Sequence, residues 1–148
     1  MKPDRILWPT DFSDNAGAAL PLVNTMASAY QAEIHVLYVI EDLARHDPYY
    51  GEFNQQRMAE LRQWEQETAQ KRLDEVCSQH LGGCPNFARH IAIGDPATEI
   101  LKFVRENDID MVVMATHGRN GQYHYGSVAE KVVKHSPVAV STVPIKNR

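Results

Sequence analysis

Residues 111–115 read Met-Val-Val-Met-Ala, a run of apolar residues that decides the fold. A short, continuous apolar run is typical of a central strand in a parallel sheet, because such a strand is buried on both faces. A glycine-containing loop follows as far as Gly126, and Ser127-Val128-Ala129-Glu130 opens a short helix that ends before Pro137. Residues 138–143 form the last predicted strand. This half of the chain is therefore strand, loop, helix, strand, as in a parallel α/β sheet.

The same alternation extends back to the start of the chain. The strands predicted there are residues 5–8, ending at Pro9, residues 34–40 and residues 87–93. The helices predicted between them run from Ala16 to Tyr30, from about Asn54 to His80, and onward from Pro96. Five predicted strands thus alternate with four predicted helices along the chain. With right-handed crossovers, this order predicts an open, doubly wound parallel α/β sheet of five strands with helices on both faces.

Three local features refine the predicted helices. Pro21 lies inside the first helical pattern and predicts a kink there. The long second helix has a predicted apolar trace of Met58, Leu61, Trp64, Thr68, Leu73 and Val76. Asp95 suits the N-cap of the third helix, and Pro96 suits its first turn.

Composition limits the class of protein. A chain of 148 residues fits a single domain spanning residues 1–148, with 43% hydrophobic and 23% charged residues. The formal net charge of −4 argues against a nucleic-acid partner. No apolar run is long enough to span a membrane, and the first residues lack the pattern of an export signal, so we expect a cytoplasmic protein without a membrane partner. The two cysteines, Cys77 and Cys84, are expected to be free thiols.

Two loops point to one candidate site. In an open α/β sheet, ligands gather at the carboxyl ends of the strands where the winding reverses, which here means after Trp8 and after Ala115. The second loop contains Gly118 and Gly121 and enters a helix at Gly126. A helix N-terminus offers N–H donors and a positive dipole end, both of which favour phosphate. Glycine lets the backbone approach an anion closely.

Four stretches carry a resemblance to a known family. They are ILWPTDFSDNAGAAL at residues 6–20, GDPATEIL at 94–101, DMVVMATHGRNG at 110–121 and GSVAEKVVKHSPVAV at 126–140. In this order they resemble the universal stress protein family over nearly the whole chain. The resemblance implies a five-stranded parallel sheet of order 3-2-1-4-5, a homodimer and, in one branch of the family, ATP binding.

The ATP-binding branch carries the pattern G-x2-G-x9-G-(S/T), and this chain departs from it twice. Ala115 stands at the position of the first glycine, while Gly118, Gly126 and Ser127 match the others. Only residues 119–125 separate Gly118 from Gly126, fewer than the pattern has. The expected cofactor is therefore ATP with Mg²⁺, or AMP or ADP in its place.

The resemblance also implies roles for single residues. Pro9 and Asp11 would line the adenosine pocket, Val39 would pack on the adenine, and Gly118, Gly126 and Ser127 would hold phosphates. Arg119, added on its charge alone, would pair with a phosphate, and His117 would shape the loop. The whole candidate site consists of Pro9, Thr10, Asp11, Val39, Ala115, His117, Gly118, Arg119, Gly126, Ser127 and Val128.

Each role has a structural alternative. Asp11 can cap the first helix, Val39 can be plain core, and Arg119 can be simply solvated. Ser127 and Glu130 have the spacing of a capping box. A zinc site built from Cys77, His80, Cys84 and His90 is a further alternative to a helix end followed by a strand histidine.

The sequence leaves three functions open. The favoured one is an adenine-nucleotide-binding regulatory protein of the stress response, a homodimer through residues 138–143 at the sheet edge, acting on an unidentified protein partner. The second is a protein–protein interaction module that binds no nucleotide. The third is a slow ATPase, although no general base and no Walker-type lysine motif is visible.

Overall fold

The computed structural model describes residues 2–11, 17–41, 55–80, 87–116 and 126–144. Strands and helices alternate along these residues, as the sequence predicts. The strands are β1 Arg5–Thr10, β2 Glu33–Ile40, β3 Phe87–Ile93, β4 Met111–Ala115 and β5 Ala139–Val143. The helices are α1 Leu20–Tyr30, α2 Gln55–His80, α3 Pro96–Glu106 and α4 Ser127–His135.

All strand pairs are parallel, and the strand order is β3-β2-β1-β4-β5. This confirms the predicted sheet. β1 lies at the centre, so the chain winds outward to β2 and β3 on one side and to β4 and β5 on the other. Right-handed crossovers then require the helices of the two halves to cover opposite faces of the sheet.

Two apolar cores, one on each face, show this arrangement. On the first face Ile6 and Trp8 of β1 pack with Val23 of α1 and Leu73 of α2. The second face takes the alternate residue of β1, Leu7, which packs with α3 and α4. Successive side chains of a strand point to opposite faces, so β1 supplies both cores at once. Ile6, Leu7 and Trp8 are accordingly at most 1% exposed.

β1 is longer than predicted, because it runs through Pro9 instead of ending before it. The β1–β2 register continues to Pro9↔Leu37 and Thr10↔Tyr38. Proline fits an extended backbone and lacks only the N–H donor. Pro9 lies beyond Leu7↔Val112, the last β1–β4 pair. Its missing N–H donor therefore removes no hydrogen bond from the β1–β4 ladder.

The predicted kink at Pro21 is wrong, because α1 begins at Leu20 with Ala19 as its N-cap. Pro21 therefore stands in the first turn, where the backbone N–H of any residue lacks a partner within the helix.

The apolar trace predicted for α2 is only partly right. Leu73 is fully buried, but Leu61 is 41% and Trp64 62% exposed. Ala69, absent from the predicted trace, is 3% exposed and therefore buried. Met58 and Val76 have side chains outside the described set. Among the described side chains of α2, the buried ones, Ala69 and Leu73, lie in the second half of the helix.

In the described part of the chain, no helix combines the length and apolar character that a membrane span requires.

Two leucines of α2 provide a matched test of this assignment. Leu73→Ala should lower the free energy of unfolding by about 2–5 kcal/mol, because it leaves a cavity in the first core. Leu61→Ala, the same change on the same helix, should cost less than about 1 kcal/mol, because Leu61 is partly exposed. Urea denaturation of both variants measures the difference. Equal losses would contradict the assignment.

Candidate functional site

The two central strands part at their carboxyl ends. β1 keeps its register with β2 as far as Thr10, whereas its register with β4 ends at Leu7↔Val112 although β4 continues to Ala115. The crossovers on the two sides of this gap pack on opposite faces of the sheet, so neither fills it. The gap is the crevice of a doubly wound fold, where ligands bind.

Two buried threonines stand beside this gap. Thr10 ends β1 and Thr116 follows β4, and each is 7% exposed. The backbone N–H of Thr116 donates to the carbonyl of Val143 at 3.0 Å, and its carbonyl accepts from the N–H of Gly126 at 2.8 Å. The second bond closes the loop between residues 116 and 126. It places the N-terminus of α4 directly at the end of β4.

This bond changes the role available to Gly126. Its N–H is engaged by Thr116, so it is not a donor for a phosphate in this structure. Intrahelical bonding in α4 begins with Glu130, whose N–H donates to the carbonyl of Gly126 at 3.0 Å. The N–H groups of Ser127, Val128 and Ala129 form the first turn, which has no acceptor within any α-helix. These are the groups that α4 can offer an anion.

The capping box predicted for Ser127 and Glu130 is wrong. Gly126 is the N-cap residue, with φ −63° and ψ 146°, and Ser127 is the first residue of the helix. Its side chain is exposed, and no side chain caps α4. The predicted N-cap is thus displaced by one position from the observed one. Ser127 therefore makes no capping hydrogen bond that a ligand would have to replace.

The start of α3 follows the prediction. The Asp95 carboxylate accepts from the Thr98 N–H at 3.1 Å and from the Thr98 hydroxyl at 2.8 Å, so Asp95 is the N-cap. Gly94 has φ +151° and donates its N–H to the carbonyl of Ile40 at 2.9 Å. Side chains rarely adopt this φ, so glycine is favoured there; a Cβ would also lie 2.7 Å from a carboxylate oxygen of Glu99, which is the movable end of that side chain.

The two helix starts face a common cleft of about 120 Å³ at the carboxyl edge of the sheet. It is lined by residues 94–97 of the α3 start, by Ser127, Val128 and Lys131 of α4, and by Glu41 after β2. Two positive helix ends and the Lys131 ammonium group favour an anionic group there. The carboxylates of Glu41 and Asp95 offer acceptors for N–H or O–H donors. The cleft thus suits a ligand that combines both kinds of group.

The structure places most of the predicted site residues at this one edge. Pro9 and Asp11 are half-buried at the end of β1, and Ala115 is buried at the end of β4. Val39 and Val128 are half-buried and pack against the same core cluster, although 88 positions separate them in sequence. His117, Gly118 and Arg119 lie outside the described residues.

Sequence reasoning missed three contributors to the cleft: Glu41, Lys131 and the backbone of residues 94–97. Glu41 lies between the predicted strand 34–40 and the predicted second helix, and the sequence predicts only a helix start at residues 94–97. One sequence pattern could have indicated the cleft: Gly94 and Gly126 each stand just before a helix that follows a strand. Lys131, one turn after Ser127, falls on the same face of α4.

The zinc alternative receives no support from the described residues. His90 pairs with His35, its Nε2 lying 3.0 Å from Nδ1 of His35. Cys84 and the side chains of Cys77 and His80 lie outside the described set. Within that set, no group of three or more His, Cys, Asp or Glu side chains is arranged to hold a metal ion.

Comparison with known proteins gives consistent matches. A family model described as the universal stress protein family matches residues 3–144. Universal stress protein MJ0531 of Methanocaldococcus jannaschii is 30% identical over 149 residues, covering 96% of this chain and 84% of that protein.

Solved structures match over the same length. Protein MJ0577 of the same organism superimposes with a TM-score of 0.87 at 27% identity and covers 100% of both chains. Universal stress protein UspA from Lactobacillus plantarum gives a TM-score of 0.82 at 28% identity, covering 97% of this chain and 99% of its own.

Proposed function

The chain belongs to the universal stress protein family, and on this basis we propose that it is an adenine-nucleotide-binding regulatory protein of the stress response. The observation that carries the proposal is the cleft at the carboxyl edge of the sheet, lined by the starts of α3 and α4 and by Glu41. A nucleotide has an anionic phosphate for the helix ends. Its ribose hydroxyls and exocyclic amine provide donors for carboxylates.

Two more distant structural relatives support the choice of ligand. A universal stress protein in complex with cAMP aligns with a TM-score of 0.63 at 20% identity. The universal stress protein from Archaeoglobus fulgidus in complex with dAMP aligns with a TM-score of 0.65 at 19% identity. At this level of identity, the similarity by itself supports only a shared fold. The two complexes add that proteins with this fold bind adenine nucleotides.

The proposed roles follow the geometry. Asp11 and Glu41 would accept hydrogen bonds from ribose or base, and the half-buried Val39 and Val128 would pack on the base. The first-turn N–H groups of α4 and Lys131 would hold phosphate, with Mg²⁺ accompanying ATP. The cleft of about 120 Å³ is smaller than the 300–1,000 Å³ typical of sites that enclose a whole ligand. It would therefore hold one group of the nucleotide, the remainder lying along the gap toward β1.

Lys131 and Lys134 offer a matched pair for testing the phosphate role. Wild-type protein stripped of nucleotide should bind ATP with Mg²⁺ saturably, near one nucleotide per chain, in calorimetric titration. Lys131→Gln should weaken binding by about three- to tenfold, because it removes a positive charge from the cleft. Lys134→Gln should bind like wild type, since Lys134 is exposed and pairs with Glu130 at 3.3 Å.

The same titration separates the other functions. Parallel titrations with ADP and AMP rank the nucleotides. Absence of binding to all three would contradict the proposal and favour the interaction module. Steady phosphate release in proportion to protein concentration would instead indicate an ATPase.

We also propose that β5 joins two copies of the chain. It is the outer strand of the sheet beyond β4, so one side of its backbone faces away from the sheet. An edge of this kind pairs readily with its own copy about a two-fold axis. Val140 and Val143 are half-buried within one chain, which leaves apolar surface for a second copy to cover.

A charge placed at the middle of β5 tests the dimer. Ser141 is the central residue of β5, so in a two-fold antiparallel pair two lysines at this position would lie close together and repel. Sedimentation equilibrium should give twice the chain mass for wild type and for Ser78→Lys, a matched change on the exposed side of α2. Ser141→Lys should shift the mass toward the monomer. A monomeric wild type, or an unchanged dimer in Ser141→Lys, would refute the assignment.

A further inference from the structure

Two histidines meet beneath α3, away from the cleft. His35 lies on β2 and His90 on β3, and Nδ1 of His35 is 3.0 Å from Nε2 of His90. Their ring planes are nearly parallel, with centroids 5.2 Å apart and an angle of 15° between the planes. His35 is only 8% exposed, and His90 is half-buried. Two titratable rings thus share one hydrogen bond inside the protein.

An acidic and a basic side chain continue this contact to the surface. Oε1 of Glu33 lies 3.2 Å from Nε2 of His35, on the side of the ring away from His90. Nε of Arg5, on β1, lies 3.8 Å from the other carboxylate oxygen of Glu33. Arg5 also donates to the carbonyl of Asn107, after α3, at 2.9 Å. Glu33 is thereby shared between one permanent cation and one titratable ring.

α3 covers the pair with an uncharged ring. The Phe103 centroid lies 4.6 Å from that of His90 and 6.1 Å from that of His35. Among the charged residues of α3, Glu99 lies against Gly94, and Lys102, Arg105 and Glu106 are exposed. The neighbouring Arg89 of β3 pairs instead with Asp74 of α2 on the opposite face of the sheet. The pair therefore has Glu33 as its direct acidic partner.

The hydrogen bond restricts how many protons the pair can hold. Contact with Glu33 favours a proton on Nε2 of His35. With both rings neutral, Nδ1 of His35 then accepts a hydrogen bond from Nε2–H of His90. One added proton can sit on His35, with the shared bond reversed. A second added proton would put N–H donors on both facing nitrogens, which cannot remain 3.0 Å apart.

We propose that His35 and His90 form a proton-sensitive switch, which holds β3 and α3 together while the pair carries at most one added proton and releases them when a second proton binds. The released contact would reach the cleft, because α3 begins with residues that line it. The effect on the cleft rests on the proposed function, whereas the effect on the packing of β2, β3 and α3 is independent of it.

The direction of the pH dependence follows from burial. Burial lowers the pKa of His90 below its ordinary value of 6.5, and the charge of nearby His35 lowers that pKa further. In the unfolded chain both rings titrate near their ordinary values. As the pH falls below about 6.5, the unfolded chain therefore binds more protons than the folded one, and the protein loses stability. Above that pH the contribution of the pair is complete.

Urea denaturation between pH 7.5 and 5 tests the switch with a variant that cannot titrate. In His90→Gln the amide can still bond to His35, but no second proton can bind. The unfolding equilibrium constant of wild type should rise with acidity more steeply than that of His90→Gln, by up to about tenfold per pH unit. The control His135→Gln, which removes an exposed histidine of α4, should follow wild type. Equal pH dependence of wild type and His90→Gln would overturn the proposal.

Ring NMR titration gives a second, independent readout. In wild type the two rings should titrate in coupled steps, the step that protonates His90 lying below pH 6.5. Rings that titrate as independent single steps near pH 6.5 would overturn the proposal. If His90→Gln fails to fold, His35→Gln removes the other ring, and the remaining His90 ring should titrate closer to its ordinary value because the charge of His35 is gone. An unchanged titration of the His90 ring in His35→Gln would equally overturn it.

Discussion

Strand β1 pairs in parallel with β2 on one side and with β4 on the other, and much of the structure depends on these two pairings. The connections leaving the two sides pack on opposite faces, so β1 supplies Ile6 and Trp8 to one core and Leu7 to the other. Because the two ladders end at different heights, a gap opens between Thr10 and Ala115. The fold thus creates the crevice before any ligand-binding residue is considered, and Pro9 suits its wall because it has no N–H to leave unpaired.

The elements predicted best are those that local chemistry decides. The apolar run of β4 identifies a buried strand, and Gly94-Asp95-Pro96 identifies a helix start because one carboxylate caps it. The apolar stripe of α2 was predicted poorly for a geometric reason. A helix of 26 residues is about 39 Å long, whereas the eight-residue β2 spans about 26 Å. Part of α2 therefore extends beyond the end of the sheet. The helical periodicity of the sequence does not indicate that Leu61 and Trp64 lie in this part.

The site divides in the same way. Strand ends and helix starts can be found from sequence, and together with the family resemblance they allow Asp11, Val39 and Ser127 to be assigned to one edge of the sheet. Contacts between distant segments cannot be found that way. The hydrogen bond from Gly126 to Thr116 engages an N–H group that was predicted to bind phosphate. Glu41 and Lys131 line one cleft because the crossovers bring the end of β2 close to the start of α4. The pairing of His35 with His90 likewise depends on the β2–β3 register.

Binding of an adenine nucleotide between the starts of α3 and α4 is tested most directly by amide NMR shifts recorded during addition of ATP with Mg²⁺. The largest shifts should occur at Asp95, Ser127, Val128 and Lys131 around the cleft, and at Thr10 and Asp11 where β1 ends. Residues of α2 such as Leu61 should stay unchanged. Saturable shifts confined to α2 or β5, or no shifts at any nucleotide concentration, would rule out the cleft as the functional site.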